Sequence, residues 1–365
     1  MQNTLGAVGP FGAVGDRARC GTPLQPVIAT RPVSVRGTVL HEIYGAAREH
    51  LLTILRRVTH LADQSTEFPG PFPISIERAH FPKLSKLSSS TGGAEYVACE
   101  KTDGWRALLL CTDYRGINIC CLIDRSLTLF LFPIHHVPTA LWQGSLFDGE
   151  VAQRVDTKRW SYLVFDAHWV AGIPIIQRPF LDRMAVVQRA WGAYTFDPAV
   201  ERFEIRLKQF IPREDIEVLP AYLAKVAQHY RTDGVILTPN VPGITYGRKG
   251  QHKLFKLKTL HHSVDFLVMP SETSTHQALG VFDPVARSHV RVALLSRECP
   301  VMDAGSVVEC VQAKGQAARV DGLEVWVMLG LRTDKAKAND RTTFEKTVLN
   351  AHENIVVSEL VDALK

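Results

Sequence analysis

No apolar run in this 365-residue chain is long enough to cross a bilayer, for which a helix needs about 20 residues. The N-terminus shows no basic start followed by an apolar core, so no secretory signal is expected. No Cys-x-x-Cys occurs among the seven cysteines, Cys20, Cys99, Cys111, Cys120, Cys121, Cys299 and Cys310, and their number is odd. That argues against zinc and against a disulfide framework. Most lie inside apolar runs and read as reduced core residues of an intracellular protein. Cys20 and Arg31 are too far apart, with no glycine-rich cradle between them, to form a phosphate-binding cysteine loop. Dense Lys/Arg clusters, internal repeats and long low-complexity segments are also missing. A net charge of +5 is mildly basic, compatible with a nucleotide or nucleic-acid partner without requiring one.

What remains is an ordinary globular composition, 46% hydrophobic and 22% charged, at a length suited to about two domains. Residues 1–35 are rich in Gly, Ala, Pro and Val without periodicity and read as a mobile tail. Leu40, Ile43, Tyr44, Leu51, Leu52 and Leu55 suggest an amphipathic helix over 38–60. Phe68-Pro69-Gly70-Pro71-Phe72-Pro73-Ile74-Ser75-Ile76 forbids a helix interior and predicts an ordered extended loop, followed by a helical turn near His80-Phe81-Pro82. From 94 to 166 strands separated by turn residues dominate, at 94–99, 105–111, 117–123, 127–132, 146–153 and 160–166. Helices are expected at Arg178–Gly192 and Ala221–His229. Strands resume at 235–237, 253–257 and 264–269. The short strands 264–269, 278–283, 288–295, 305–312 and 323–328 suit a small five-stranded barrel. Thr342–Leu364 reads as one or two terminal helices.

The stretch that organises the chain is Glu100-Lys101-Thr102-Asp103-Gly104-Trp105-Arg106. It joins two apolar runs, Tyr96–Cys99 and Ala107–Cys111. A lysine at the end of a buried strand is costly unless something pairs or uses it. Desolvation and a cationic neighbour such as Arg106 would leave a neutral amine able to attack an electrophile. A solvated lysine beside a Thr-Asp-Gly turn fits the same residues. Downstream, Asp148-Gly149-Glu150 sets carboxylates around a glycine, and Tyr162–Asp166 ends a buried strand with an aromatic and an acid. Asp233-Gly234 precedes another strand. Lys256-Leu257-Lys258 puts two cations on one strand face. Arg332-Thr333-Asp334-Lys335 follows in the β-rich region. Singly, each fits a hairpin turn, an edge strand, a core aromatic or a solvated loop. The joint order is the informative feature.

That ordered set resembles the covalent nucleotidyltransferases, and within them the mRNA guanylyltransferases, or RNA capping enzymes, over roughly Phe68 to Asn339. Lys101-Thr102-Asp103-Gly104 matches the nucleophile motif. Phe68-Pro69-Gly70 with Pro73-Ile74-Ser75 resembles the capping-enzyme entry loop, and Phe203–Lys208 a stretch carrying a phosphate-contacting lysine. Two departures occur: Leu257 stands where the family often has Trp, and Lys258-Thr259 lacks the usual proline.

The resemblance implies an α+β fold. A nucleotidyltransferase domain of antiparallel sheets flanked by helices (36–262) would be followed by an OB-fold β-barrel (263–340) and a C-terminal helical segment (341–365). It implies that Lys101 attacks the α-phosphate of GTP and that the resulting lysyl-GMP is transferred to 5′-diphosphate RNA. Lys256 and Lys258 would meet the α-phosphate, and Arg332 and Lys335 the β- and γ-phosphates after domain closure, with Asp334 orienting Arg332 or the leaving group. Lys208 would contact a phosphate. Asp233 would hold Mg²⁺ or Mn²⁺, Glu150 and Arg106 the ribose side, and Phe165 the guanine. A nuclear location and partners such as RNA polymerase II or an RNA triphosphatase follow from where family members act, with no membrane partner. The chain shows no cysteine-phosphatase loop and no methyltransferase glycine motif, so those activities are expected elsewhere. The rival enzyme is an ATP-dependent polynucleotide ligase working through lysyl-AMP. The rival from another class is a non-catalytic RNA- or polymerase-binding module, against which the intact Lys101, Asp233, Lys256 and Arg332 argue.

Overall fold

A computed structural model of the chain describes residues 28–84, 95–247, 252–259, 262–270, 276–313, 319–333, 335 and 337–365. Most strand pairings are antiparallel, and three sheets organise the fold. The largest runs in the order β1 (Thr30–Val35), β2 (Thr38–Ile43), β7 (Leu129–Leu131), β6 (Ile117–Ile123), β5 (Trp105–Tyr114), β8 (Ser145–Gln153), β9 (Trp160–Val170) and β10 (Ile173–Pro174). β11 (Phe203–Leu207) lies parallel to β9 on its outer side. The second sheet has the order β3 (Ile74–Ser75), β13 (Phe255–Lys258), β12 (Thr232–Pro239) and β4 (Tyr96–Thr102).

β5 shows why its sequence is apolar throughout. Leu108 and Leu110 face α1 (Gly45–Thr59), packing with Leu51, Leu52 and Leu55. Ala107, Leu109 and Cys111 point to the other face, in a core shared with Phe180, Met184 and Val187 of α3 (Phe180–Trp191). A strand buried on both faces cannot alternate with polar residues.

The third sheet contains β14 (Ser263–Met269), β15 (Ala278–Asp283), β16 (Ser288–Leu295), β17 (Val307–Gln312), β18 (Arg319–Val320) and β19 (Leu323–Leu331). β16 pairs with both β15 and β19, which closes a ring of five strands as expected, with β18 only a short partner of β19. Phe266, Val281, Val308 and fully buried Trp326 fill the ring.

Three expectations need correction. Residues 30–35 are not tail but strand β1, paired along its length with β2; residues 1–27, Cys20 among them, lie outside the described residues. The helix expected over 38–60 begins only at Gly45, because buried Thr38 and Leu40 alternate with exposed Val39 and His41, a strand period. Ile74–Ser75 is not loop but a two-residue strand beside Phe255–Lys256.

The C-terminal segment divides between the two cores. Phe344 and Val348 of α5 (Arg341–Glu353) pack on the barrel. Leu360, Val361 and Leu364 of α6 (Val357–Leu364) instead pack on Ile76, Leu219 and the second sheet. Leu219 opens α4 (Leu219–Ala227), and α2 (Phe81–Leu84) adds Leu84 to the same core.

Candidate active site

Lys101 stands where the first two sheets meet. β4 buries Tyr96 through Glu100, turns at Asp103-Gly104 and continues as β5 of the largest sheet. The turn requires glycine: a Cβ at Gly104 would lie 2.6 Å from both the Val151 carbonyl oxygen and Glu150 Cγ. The Lys101 side chain keeps 23% of its surface exposed, and its Nζ lies 2.7 Å from Oδ1 of Asp233.

Asp233 reaches that position through a β-bulge. Thr232 is opposite Thr102 and Gly234 is opposite Lys101, so Asp233 is an extra residue without a partner on β4. Gly234 then lies between Lys101 on one neighbouring strand and Lys258 on the other. Its φ is +148°, and a Cβ would fall 1.8 Å from the Leu257 carbonyl oxygen. Only glycine lets β13 approach closely enough to bring Lys258 Nζ within 3.9 Å of the Asp233 carboxylate. Lys256 and Lys258 share the face of β13 opposite buried Phe255 and Leu257, as the alternation predicts.

Behind Lys101 opens a cleft. Arg106, Glu150, Phe165 and Lys208 line it, so the structure brings these four expected residues together with Lys101. Its apolar wall includes Ile236, Leu254, Phe210 and Pro73. Phe165 is also a bulge residue: Val164 is opposite Gly149 and Asp166 opposite Asp148, leaving Phe165 between them. Its ring lies 5.5 Å from the Arg106 guanidinium carbon and 5.9 Å from Lys208 Nζ.

Several charges at the cleft are paired. Arg106 holds Asp148 through two hydrogen bonds of 3.0 and 2.6 Å and donates to the Pro71 carbonyl. The rings of Phe68 and Phe72 lie 5.2 and 5.6 Å from its guanidinium carbon. The Phe68–Phe72 loop is thereby fastened to β5, the strand after Lys101. Arg106 lines the same cleft as Lys101 but, unlike the lone cation the sequence suggested, is paired with Asp148, and the partner of Lys101 is a carboxylate. Lys208 Nζ lies 3.3 Å from Oε1 of buried Glu100 and 3.1 Å from its carbonyl oxygen, and Tyr222 donates to the same carboxylate at 2.5 Å. Burial alone would lower the Lys208 pKa, but Glu100 and the other anionic neighbours outweigh it, so the ammonium is favoured. Burial raises the Glu150 carboxyl above its ordinary range, opposed by Lys208, Lys101 and Arg106 and by the Gly104 N–H at 3.1 Å.

Other expected residues stand apart. Lys256 lines a small recess with Ser75, Asn350 and Ile355 rather than the main cleft. Arg332 Nη1 lies 2.9 Å from Oδ1 of Asp265, and Lys335 binds the other oxygen of that carboxylate, within the barrel. Asp334 lies outside the described residues. A second recess is bordered by Asp103, Arg231, Asp233 and Lys258 on one side and by Ser263, Glu309 and Leu329 of the barrel on the other.

Several participants were not singled out from sequence. Arg125 lines the cleft with its guanidinium carbon 5.3 Å from the Phe72 ring, and burial followed by Arg106 lowers its pKa. Glu100 and Asp265 carried a readable signal, an acid within an apolar strand run, which needs a partner to be buried. Asp233 suits a divalent cation held by one carboxylate together with substrate phosphate oxygens, since Mg²⁺ is commonly bound that way; no cluster of three or more His, Cys, Asp or Glu forms a protein-only site among the described residues.

Residues 40–260 match the model of the family described as mRNA capping enzyme, catalytic domain. The mRNA-capping enzyme subunit alpha of Yarrowia lipolytica is 25% identical over 341 residues, 81% of this chain and 82% of that protein. That of Kluyveromyces lactis is 26% identical over 255 residues, 61% of this chain but only 51% of its own length. Among solved structures, a mycobacterial DNA ligase D complexed with ATP and MES shows 13% identity and a TM-score of 0.42 over 73% of this chain and 95% of its own. The family match covers more than half of the sequence and contains the nucleophile turn, both bulges and the paired strand lysines: this chain belongs to the mRNA capping enzyme catalytic-domain family.

Proposed function

We propose that the chain is an mRNA guanylyltransferase, with Lys101 as the nucleophile that carries GMP. The observation that carries this reading is the row Lys101, Asp233 and Lys258 on three adjacent strands, of which Lys101 also lines a cleft walled by Phe165 and Ile236. The Lys101 amine forms a bond to the α-phosphorus of GTP as the bond to the pyrophosphate oxygen breaks. Before attack the Lys101 ammonium must give up a proton, and the nearest carboxylate to receive it is Asp233 at 2.7 Å; the second N–H proton, released as the P–N bond forms, leaves with the pyrophosphate. Lys258 offers its ammonium to the α-phosphate oxygens, and Lys256 supports the same face of β13. The guanine stacks on Phe165, and Glu150 takes the ribose side. A Mg²⁺ or Mn²⁺ ion bound by Asp233 and phosphate oxygens would supply Lewis-acid stabilisation of the developing charge.

In the second half-reaction the terminal phosphate of 5′-diphosphate RNA displaces the lysine and takes the GMP, giving a 5′–5′ triphosphate. The gap between Asp233 and Glu309 supports a closing motion in which Arg332 and Lys335 exchange Asp265 for the β- and γ-phosphates. The name of the relatives, subunit alpha, supports a separate partner subunit, for which an RNA triphosphatase is the chemical fit. Recruitment by RNA polymerase II and a nuclear location complete the reading.

The test is covalent labelling with GTP carrying a radioactive α-phosphate. The protein should retain label that survives denaturation, and Lys101→Ala should retain none while unfolding at the parent temperature. Label from ATP and none from GTP would overturn the reading in favour of a ligase.

A further inference from the structure

Asp166 ends one of the motifs found in the sequence, and nothing in the proposed chemistry uses it. It lies next to Phe165 and lines the same cleft, and both of its carboxylate oxygens are engaged. Arg183 of α3 grips it from behind with two hydrogen bonds, Nε to Oδ1 at 2.7 Å and Nη2 to Oδ2 at 2.8 Å. The side chains are 3% and 9% exposed, so this is a buried, bidentate pair. Arg183 is itself held: Nη1 donates to the Arg178 carbonyl at 2.7 Å, and its guanidinium carbon lies 5.3 Å from the ring of Phe180. Asp166 also accepts from the Ala167 N–H at 2.8 Å.

The location gives this pair a purpose. Phe165 is the extra residue of the bulge between Val164 and Asp166, so the β8–β9 ladder does not fix its backbone. One flank is pinned by the Lys208 N–H, which donates to the Val164 carbonyl at 2.9 Å. The other flank is pinned by Asp166, and through it by Arg183 of α3, whose first residue, Phe180, also lines the cleft. We propose that Arg183 is a positioning residue that acts through Asp166 to hold Phe165 against the base of the bound nucleotide. This rests on the reading of the cleft as a GTP site. Stacking contributes equally to the bound ground state and the transition state, so loosening it weakens binding without slowing the transfer itself.

The experiment compares Arg183→Lys, Phe165→Ala and the double variant by initial rates of lysyl-GMP formation over a range of GTP concentration. Lysine keeps the charge and loses the planar fork. Arg183→Lys should raise the GTP KM by about tenfold, the scale of an aromatic–base stack, with the rate at saturating GTP little changed. In the Phe165→Ala background the same substitution should have no further effect, because the ring it positions is gone. An equal rise in both backgrounds, or a fall in the saturated rate at unchanged KM, would overturn the proposal in favour of a purely structural pair. If Arg183→Lys does not yield folded protein, Asp166→Asn carries the same comparison. Absence of label from GTP in the parent protein would instead refute the GTP reading itself.

Discussion

The ammonium of Lys101 and the carboxylate of Asp233 meet at 2.7 Å across two strands whose register slips by one residue at that point. The bulge turns Asp233 toward Lys101 instead of leaving it as an ordinary ladder residue. The contact holds the amine beside an acceptor and beside Lys258, the cation best placed for a phosphate oxygen. Geometry of this kind is sensitive to the backbone that makes it, and the first prediction addresses that backbone.

Gly234→Ala should uncouple the strands that carry the site. Its Cβ would collide with the Leu257 carbonyl at 1.8 Å, and its φ of +148° disfavours any side chain. The backbone conformation alone costs roughly 1–3 kcal/mol, and β13 must also shift. Lysyl-nucleotide formation should fall sharply, measured beside a denaturation curve. Gly330→Ala, where a Cβ meets nothing within 4 Å, is the control and should change stability by no more than about 0.5 kcal/mol. Equal behaviour of the two variants would contradict the close-approach argument.

Arg106→Met should destabilise the fold by about 3–5 kcal/mol, because it leaves the Asp148 carboxylate buried without its partner. Asp148 is 1% exposed and its two oxygens both receive Arg106. Adding Asp148→Asn to Arg106→Met should recover part of the loss, since the orphaned charge is then removed. Urea denaturation of the single and double variants reads both effects; a single variant within about 1 kcal/mol of the parent would show that the pair is not what holds the entry loop and β5 together.

Glu150 predicts a pH dependence of stability. Burial raises its folded pKa above the ordinary value of 4.5, so the folded protein holds a proton that the unfolded chain has already released. Stability from this group is greatest below the unfolded pKa and declines as pH rises through the folded pKa, with a slope of at most about 1.4 kcal/mol per pH unit. Glu150→Gln keeps the acceptor for the Gly104 N–H and removes the charge. It should therefore melt above the parent at neutral pH, with the difference vanishing toward pH 4. A difference that grows on acidification would reverse the sign and refute the assignment.

The elements of the fold were legible wherever one residue's neighbours along the chain decide its environment. The apolar run of β5, the turn at Asp103-Gly104, the alternation Lys256-Leu257-Lys258 and the five barrel strands all follow from local pattern. β2 was misread because Leu40 and Ile43 fit a helical spacing as well as a strand, and only pairing with β1 and β7 chooses between them. β3 and β11 are short segments whose strand character comes from parallel partners distant in sequence.

The residues of the site were named by sequence, but not their partners. The motif order singled out Lys101, Glu150, Phe165, Lys208, Asp233 and Lys258, because the types and order of chemically useful side chains are written in one dimension. Tertiary structure decided that Lys101 faces Asp233 rather than Arg106, and that Arg106 belongs to Asp148 and the entry loop. It also decided that Arg332 and Lys335 rest on Asp265 in the barrel. Two bulges made the difference at Asp233 and Phe165. A bulge is a slip between two strands, set by how distant segments pack, and no single strand's sequence contains it.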